Sequence, residues 1–136
     1  MFDYVLYHSR CVYDDFNVAD LDILKLAIKA NDTHAITGYL HREAGYYVQY
    51  FEGKPDDVAQ LSANLLADRR HFGFTVLEQG QNQERQFEGW SMGYSNSPTT
   101  ALGLVDRDDV PFKHTPVEVI AFLRVVAKNA SRGPIS

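Results

Sequence analysis

Near the middle of the chain the stretch GYYVQYFEG, Gly45 to Gly53, carries one glutamine among aromatic and β-branched residues. A run of this kind between two glycines predicts a strand, so Tyr46, Val48 and Tyr50 share one side while Tyr47, Gln49 and Phe51 share the other. Neither side is polar enough to face water. Gln49 therefore points into covered space, where its amide needs partners for two donors and an acceptor. Tyr7 and Asn31 are the candidates to stand near it. A phenol and two primary amides around an apolar slot suit a flat heterocycle with donors and acceptors along its edge. Glutamine can show the same neighbour an acceptor or a donor, by rotation or by tautomer. Tyrosine adds an oxidisable ring that can pass an electron and a proton to a strongly oxidising neighbour. Each residue also has a plain reading: Tyr7 as core, Asn31 as a helix C-terminal residue, Gln49 as a bond to the next strand.

The elements that must bring these residues together can be read along the chain. Residues 2–8, FDYVLYH, alternate as a strand and run into a loop. From Asn17, an N-cap, VADLDILKLAIKAN spaces Val18, Leu21, Leu24 and Ile28 as a helix that ends near Asn31 and Asp32. HAITGYLHR predicts a second strand with Gly38 inside it, and Gly45 turns a hairpin into the third. KPDDVAQLSANLLADRR predicts a second helix, with Val58, Leu61, Leu65 and Leu66 as its apolar stripe and arginines in its last turn. FGFTVLEQ is a fourth strand, QNQER a polar turn and FEGWSMGYS a fifth strand. After a looser stretch at 95–114, Thr115 and Glu118 form a capping box and Pro116 opens a helix to about residue 128, with Val119, Leu123 and Val126 along one side.

This order is α+β: a ferredoxin-like βαββαβ arrangement with an added fifth strand. Both of the first two helices lie on one face of the sheet, and the C-terminal helical segment covers the other. Tyr7 and Gln49 then sit on central strands beneath the gap between the helices, and Asn31 hangs over it.

Composition narrows the classes. A chain of 136 residues fits one domain with a core of its own. The net charge of −5 comes without a long basic run, which speaks against nucleic acid and anionic membranes as partners. One cysteine, Cys11, excludes an intrachain disulfide and a cysteine-based metal site. With no apolar run near membrane-spanning length and no secretory h-region, a soluble cytoplasmic protein is expected. NASRGPIS reads as a frayed tail.

Taken in order and spacing, YVLYHS, KANDTHAITGYL, GYYVQYFEG, DRRH and FEGWSMGY resemble the BLUF domain, a blue-light sensor that uses flavin. The resemblance covers about residues 2–95. It implies FAD bound without a covalent link, in the edge arrangement an isoalloxazine ring offers. By position, Tyr7 matches the photochemical electron donor, Asn31 the amide holding the flavin edge, and Gln49 the switching amide. Trp90 and Met92 match the pair that exchanges contacts with that glutamine, and Arg70 and His71 match side chains beside the ring. Ile23 is counted with the cofactor-binding positions. Many members carry Ser-Arg-x-Asn-Asn where this chain has Ala27, Ile28, Lys29, Ala30 and Asn31, so Lys29 stands in for the missing arginine.

The resemblance further implies that light drives electron and proton transfer from Tyr7 through Gln49, leaving an altered flavin hydrogen-bond pattern and a red-shifted band. The signal would leave through the last strand towards the C-terminal helix. No substrate is turned over, so a sensor rather than an enzyme is expected. Residues 1–95 form the sensor and 96–136 an extension of the same compact unit, with no separate output domain. A homo-oligomer and a separate effector protein are the expected partners. Two rivals stand beside this. An acylphosphatase-like enzyme would need an anion nest after the first strand, and HSRCVYDDF has no glycines and carries paired acids. A light-insensitive flavin-binding or interaction module of the same fold is the other.

Overall fold

The computed structural model describes residues 1–11, 36–43, 45–69, 71–87, 93–97 and 115–131, the side chains of 93, 94, 96, 97 and 129–131 apart. The expected helix over 18–31 and the stretch at 98–114 lie outside the described residues. The elements are β1 (Phe2–Cys11), β2 (Thr37–Glu43), β3 (Tyr46–Gly53), α1 (Pro55–Ala67), β4 (His71–Asn82), β5 (Gly93–Ser97) and α2 (Pro116–Ser131). The strands form one sheet in the order β4-β1-β3-β2-β5. The first four pair antiparallel, and β5 runs parallel to β2.

The predicted alternation in β3 holds, and it divides the core in two. On one face Val5, Tyr7, Leu40, Tyr47 and Phe51 pack with Val58, Leu61 and Leu65 of α1. On the other Leu6, Tyr39, Tyr46, Val48 and Tyr50 pack with Val119, Leu123 and Ala127 of α2. All residues of β2 and β3 are buried as a result. The capping box forms as expected: Thr115 N–H donates to Glu118 Oε1 at 2.9 Å and Glu118 N–H to Thr115 Oγ1 at 3.3 Å.

Several boundaries differ from the sequence reading, and β1 runs on to Cys11 through residues expected to form a loop, because its pairing with β3 and β4 continues there. The helix α1 stops at Ala67 with Asp68 as an extended C-cap, so its last turn holds no basic residue, and Leu66 faces outward. β4 continues to Asn82, through residues expected to turn, because its pairing with β1 extends to Phe2 opposite Asn82. Phe87 precedes the described part of the last strand instead of opening it; its ring is buried against Tyr39 and Tyr50 and its N–H donates to the Glu52 side chain.

Two glycines carry backbone demands. Gly45 adopts φ +83° at the β2–β3 turn, where its carbonyl accepts from Cys11 N–H at 2.8 Å. At Gly38, in β2, a Cβ would lie 2.0 Å from the Tyr50 carbonyl oxygen. The central strands would have to separate to admit a methyl group there. Gly38→Ala is therefore expected to lower stability by about 2–3 kcal/mol, read from its urea midpoint against wild type.

Candidate functional site

Tyr7 and Gln49 face each other directly in the β1–β3 register. Both are fully buried on the α1 side, and the Tyr7 hydroxyl donates to Gln49 Oε1 at 2.5 Å. The glutamine carbonyl thus accepts from the phenol, and the same amide also carries two N–H donors. The Tyr7 ring is held from three sides. Phe74 stacks on it at 4.4 Å between centroids, while Phe51 and His71 meet it edge-on at 6.3 and 6.2 Å.

A break in strand pairing brings Phe74 and His71 to that ring. Between His8 opposite Thr75 and Arg10 opposite Phe72, β4 contains one extra residue, and Gly73 there takes φ +66°. Such a bulge, with a left-handed glycine, reverses which side the next residues face. His71 and Phe74 consequently lie on one side of the sheet, whereas regular pairing would put them on opposite sides.

His71 is then fixed at both nitrogens. Nε2 donates at 2.6 Å to the Leu65 carbonyl near the end of α1, an oxygen that also accepts from Asp68 N–H at 3.2 Å. A carbonyl only accepts, so Nε2 carries the proton, and in the neutral ring Nδ1 accepts from the buried Ser9 hydroxyl at 2.6 Å. Ser9, two residues from Tyr7 on the same side of β1, was not singled out in the sequence. Its signal was its strand parity with Tyr7. Arg42 is a second addition: a buried guanidinium on this side of β2, 5.8 Å from the Tyr47 ring centre.

Of the residues expected at the site, the structure brings together Tyr7, Gln49 and His71. Ile23, Lys29, Asn31, Arg70, Trp90 and Met92 lie outside the described residues. Among the described residues there is no group of three or more side chains able to hold a metal ion, and no helix long and apolar enough to cross a membrane.

Comparison with known proteins decides the family. A profile described as sensors of blue-light using FAD, BLUF, matches residues 2–93. The chain belongs to the BLUF family. It therefore carries a flavin-binding blue-light sensor domain, and its ferredoxin-like α+β fold matches solved BLUF structures. One is BlsA in its photo-activated state, at 25% identity and TM-score 0.75, covering 92% of this chain and 94% of that one. Another is the BLUF protein BlrB in the dark state, at 24% identity and TM-score 0.73, covering 92% and 96%. A bacterial light-regulated adenylyl cyclase matches at 21% and 0.64 over 96% of this chain but only 35% of its own. At their identities the last two speak to the fold alone. No curated protein matches the chain.

Fit to a flavin can be judged on the donor set. The Gln49 amide, its carbonyl engaged by a phenol, also carries N–H donors, and Leu40, Phe51, Leu61 and Leu65 are apolar residues of the same core. That combination suits a flat ring with acceptors on its edge.

Burial pushes the Tyr7 phenol well above its ordinary pKa, and the charges of Asp68 and Cys11 act in the same direction. Burial also raises Tyr50, with the Glu52 charge adding to it. Above about pH 10 the unfolded chain releases protons that these folded phenols keep, so stability present below that pH is lost as pH rises further. Urea midpoints measured from pH 8 to 11 should fall above about pH 10, and Tyr7→Phe should fall less steeply than wild type.

Proposed function

We propose that this chain is a blue-light photoreceptor that binds FAD non-covalently, with Tyr7 as electron and proton donor and Gln49 as the amide that switches. The observation that carries the proposal is the buried hydrogen bond from Tyr7 to Gln49 Oε1. FAD is favoured over FMN because the family description names it. Of the residues assigned to the cofactor, Asn31, Ile23, Lys29 and Arg70 join Gln49 as its holders, while His71 supports the Tyr7 ring.

The bound flavin would supply a light-excited oxidant at the ring edge. Tyr7 loses an electron, and its proton follows the bond that already runs to Gln49 Oε1. A phenol this deeply buried has no water to take the proton, so the glutamine is its outlet. When Tyr7 regains both, the phenol is restored, and the orientation of the Gln49 amide is what can remain changed. If the rearranged Gln49 amide donates to a carbonyl of the ring, that bond stabilises the excited chromophore more than the ground state, which moves absorption to the red. The rigid rings of Phe74, Phe51 and His71 keep Tyr7 in place, so Gln49 is the part with freedom to rearrange.

The signal leaves through residues 90–95, with Trp90 and Met92, towards α2. Residues 1–95 act as the sensor and 96–136 as its extension, without turnover of a substrate. Output passes through a homo-oligomer and a separate effector protein in the cytoplasm.

Purified protein should be yellow, release FAD on denaturation, and show a reversible red shift of a few nanometres' order under blue light. A colourless preparation that FAD does not reconstitute overturns the reading. Tyr7→Phe and Gln49→Ala should each retain flavin and lose the red shift; a normal shift in either variant removes that residue from its assigned role.

A further inference from the structure

Glu52 is a carboxylate with no exposed surface, three residues beyond Gln49 on β3 and on the opposite side of the sheet. Burying such a group is costly unless each oxygen is well supplied with donors. Here Oε2 accepts from Thr37 Oγ1 at 2.9 Å and from Phe87 N–H at 2.8 Å. Oε1 accepts from Gln86 N–H at 2.8 Å and from the Tyr50 hydroxyl at 3.2 Å. Arg85 reinforces the knot, donating to Thr37 Oγ1 at 2.9 Å and to the Glu52 carbonyl at 3.3 Å. The Gln86 side chain looks the other way, accepting from Arg124 of α2 at 3.3 Å.

We propose that Glu52 is a positioning residue that couples movement of the Gln49 strand to the turn at 85–87 and, through Gln86 and Arg124, to α2. This inference rests on the photoreceptor reading above. The two backbone N–H groups that Glu52 holds belong to a segment with no strand partner of its own, so β3 and the turn must move together. Gln86 is then pulled at its backbone by β3 and held at its side chain by α2. Residues 88–92 follow at once in sequence, which puts the turn at the entrance to the segment bearing Trp90 and Met92.

Glu52→Gln is the informative change. Its side chain keeps one acceptor oxygen and gains an NH2 group. Hydroxyl donors such as Thr37 and Tyr50 can rotate to accept from that group, but a backbone N–H cannot, so one of Gln86 and Phe87 loses its partner. Three readouts are taken on flavin-loaded protein: the light-induced red shift, dark hydrogen exchange at the Gln86 and Phe87 amides, and the light-minus-dark exchange difference over 116–131. In Glu52→Gln the red shift should match wild type, amide exchange at 86 or 87 should quicken by about ten-fold, and the difference over 116–131 should disappear. Gln86→Ala, at a half-buried site, keeps the backbone contact to Glu52; it should leave the red shift and the 87 amide unchanged and still lose the difference over 116–131. It serves as the test if Glu52→Gln fails to fold.

A wild-type-sized difference over 116–131 in either variant overturns the coupling, since a residue that only stabilises the fold would behave that way. Loss of the red shift in Glu52→Gln also overturns it, because Glu52 would then act on the flavin side. Absence of a red shift in wild type refutes the photoreceptor reading itself, and the coupling with it.

Discussion

Because β3 is covered by α1 on one side and α2 on the other, any polar group it carries must be satisfied inside the protein. Besides its tyrosine hydroxyls, the strand carries two polar side chains that apolar neighbours cannot satisfy, Gln49 and Glu52. Each adds a side-chain tie to the backbone pairing of β3 with its neighbours. Gln49 engages the phenol of β1. Glu52 collects the turn at 85–87 together with the start of β2. The candidate photochemical pair and the connection towards α2 thus lie on opposite sides of one strand and share its backbone.

That arrangement explains why the site can combine stiffness with one adjustable group. Aromatic rings close-packed around Tyr7 have little room for new rotamers. An amide, by contrast, can turn over with almost no change of shape while exchanging its donor and acceptor ends. In a BLUF domain whose chromophore reports hydrogen bonding, a change of that kind is visible without any large displacement.

Much of this was legible in the sequence because it depends on local rules. Alternation in GYYVQYFEG assigned both faces of β3, the capping box placed the start of α2, and the apolar stripe of α1 was right for Val58, Leu61 and Leu65. The residues at the ends of elements were less readable. Arg69 lies beyond α1 because Asp68 turns to extended geometry there, a choice made with the next strand. The bulge at Gly73 depends on the register of β4 against β1, which no spacing within FGFTVLEQ records. Ser9 and Glu52 were missed for a related reason. Each looks like an ordinary polar residue of a strand until its partner, 62 residues away for Ser9 and at most 35 for Glu52, is known.

The irregularity of β4 has a further effect at the outer margin of the sheet. Among the described residues this 12-residue strand has only β1 as a neighbour, and it exposes Phe72 and Val76. A straight margin of that length would be a template on which another chain could add itself and begin to aggregate. Its pairing shifts twice, at Leu6/Tyr7 and at His8/Arg10, so the outward row of amides and carbonyls is broken twice as well. The same extra residue that turns His71 towards Tyr7 therefore denies an incoming strand a continuous row to pair with.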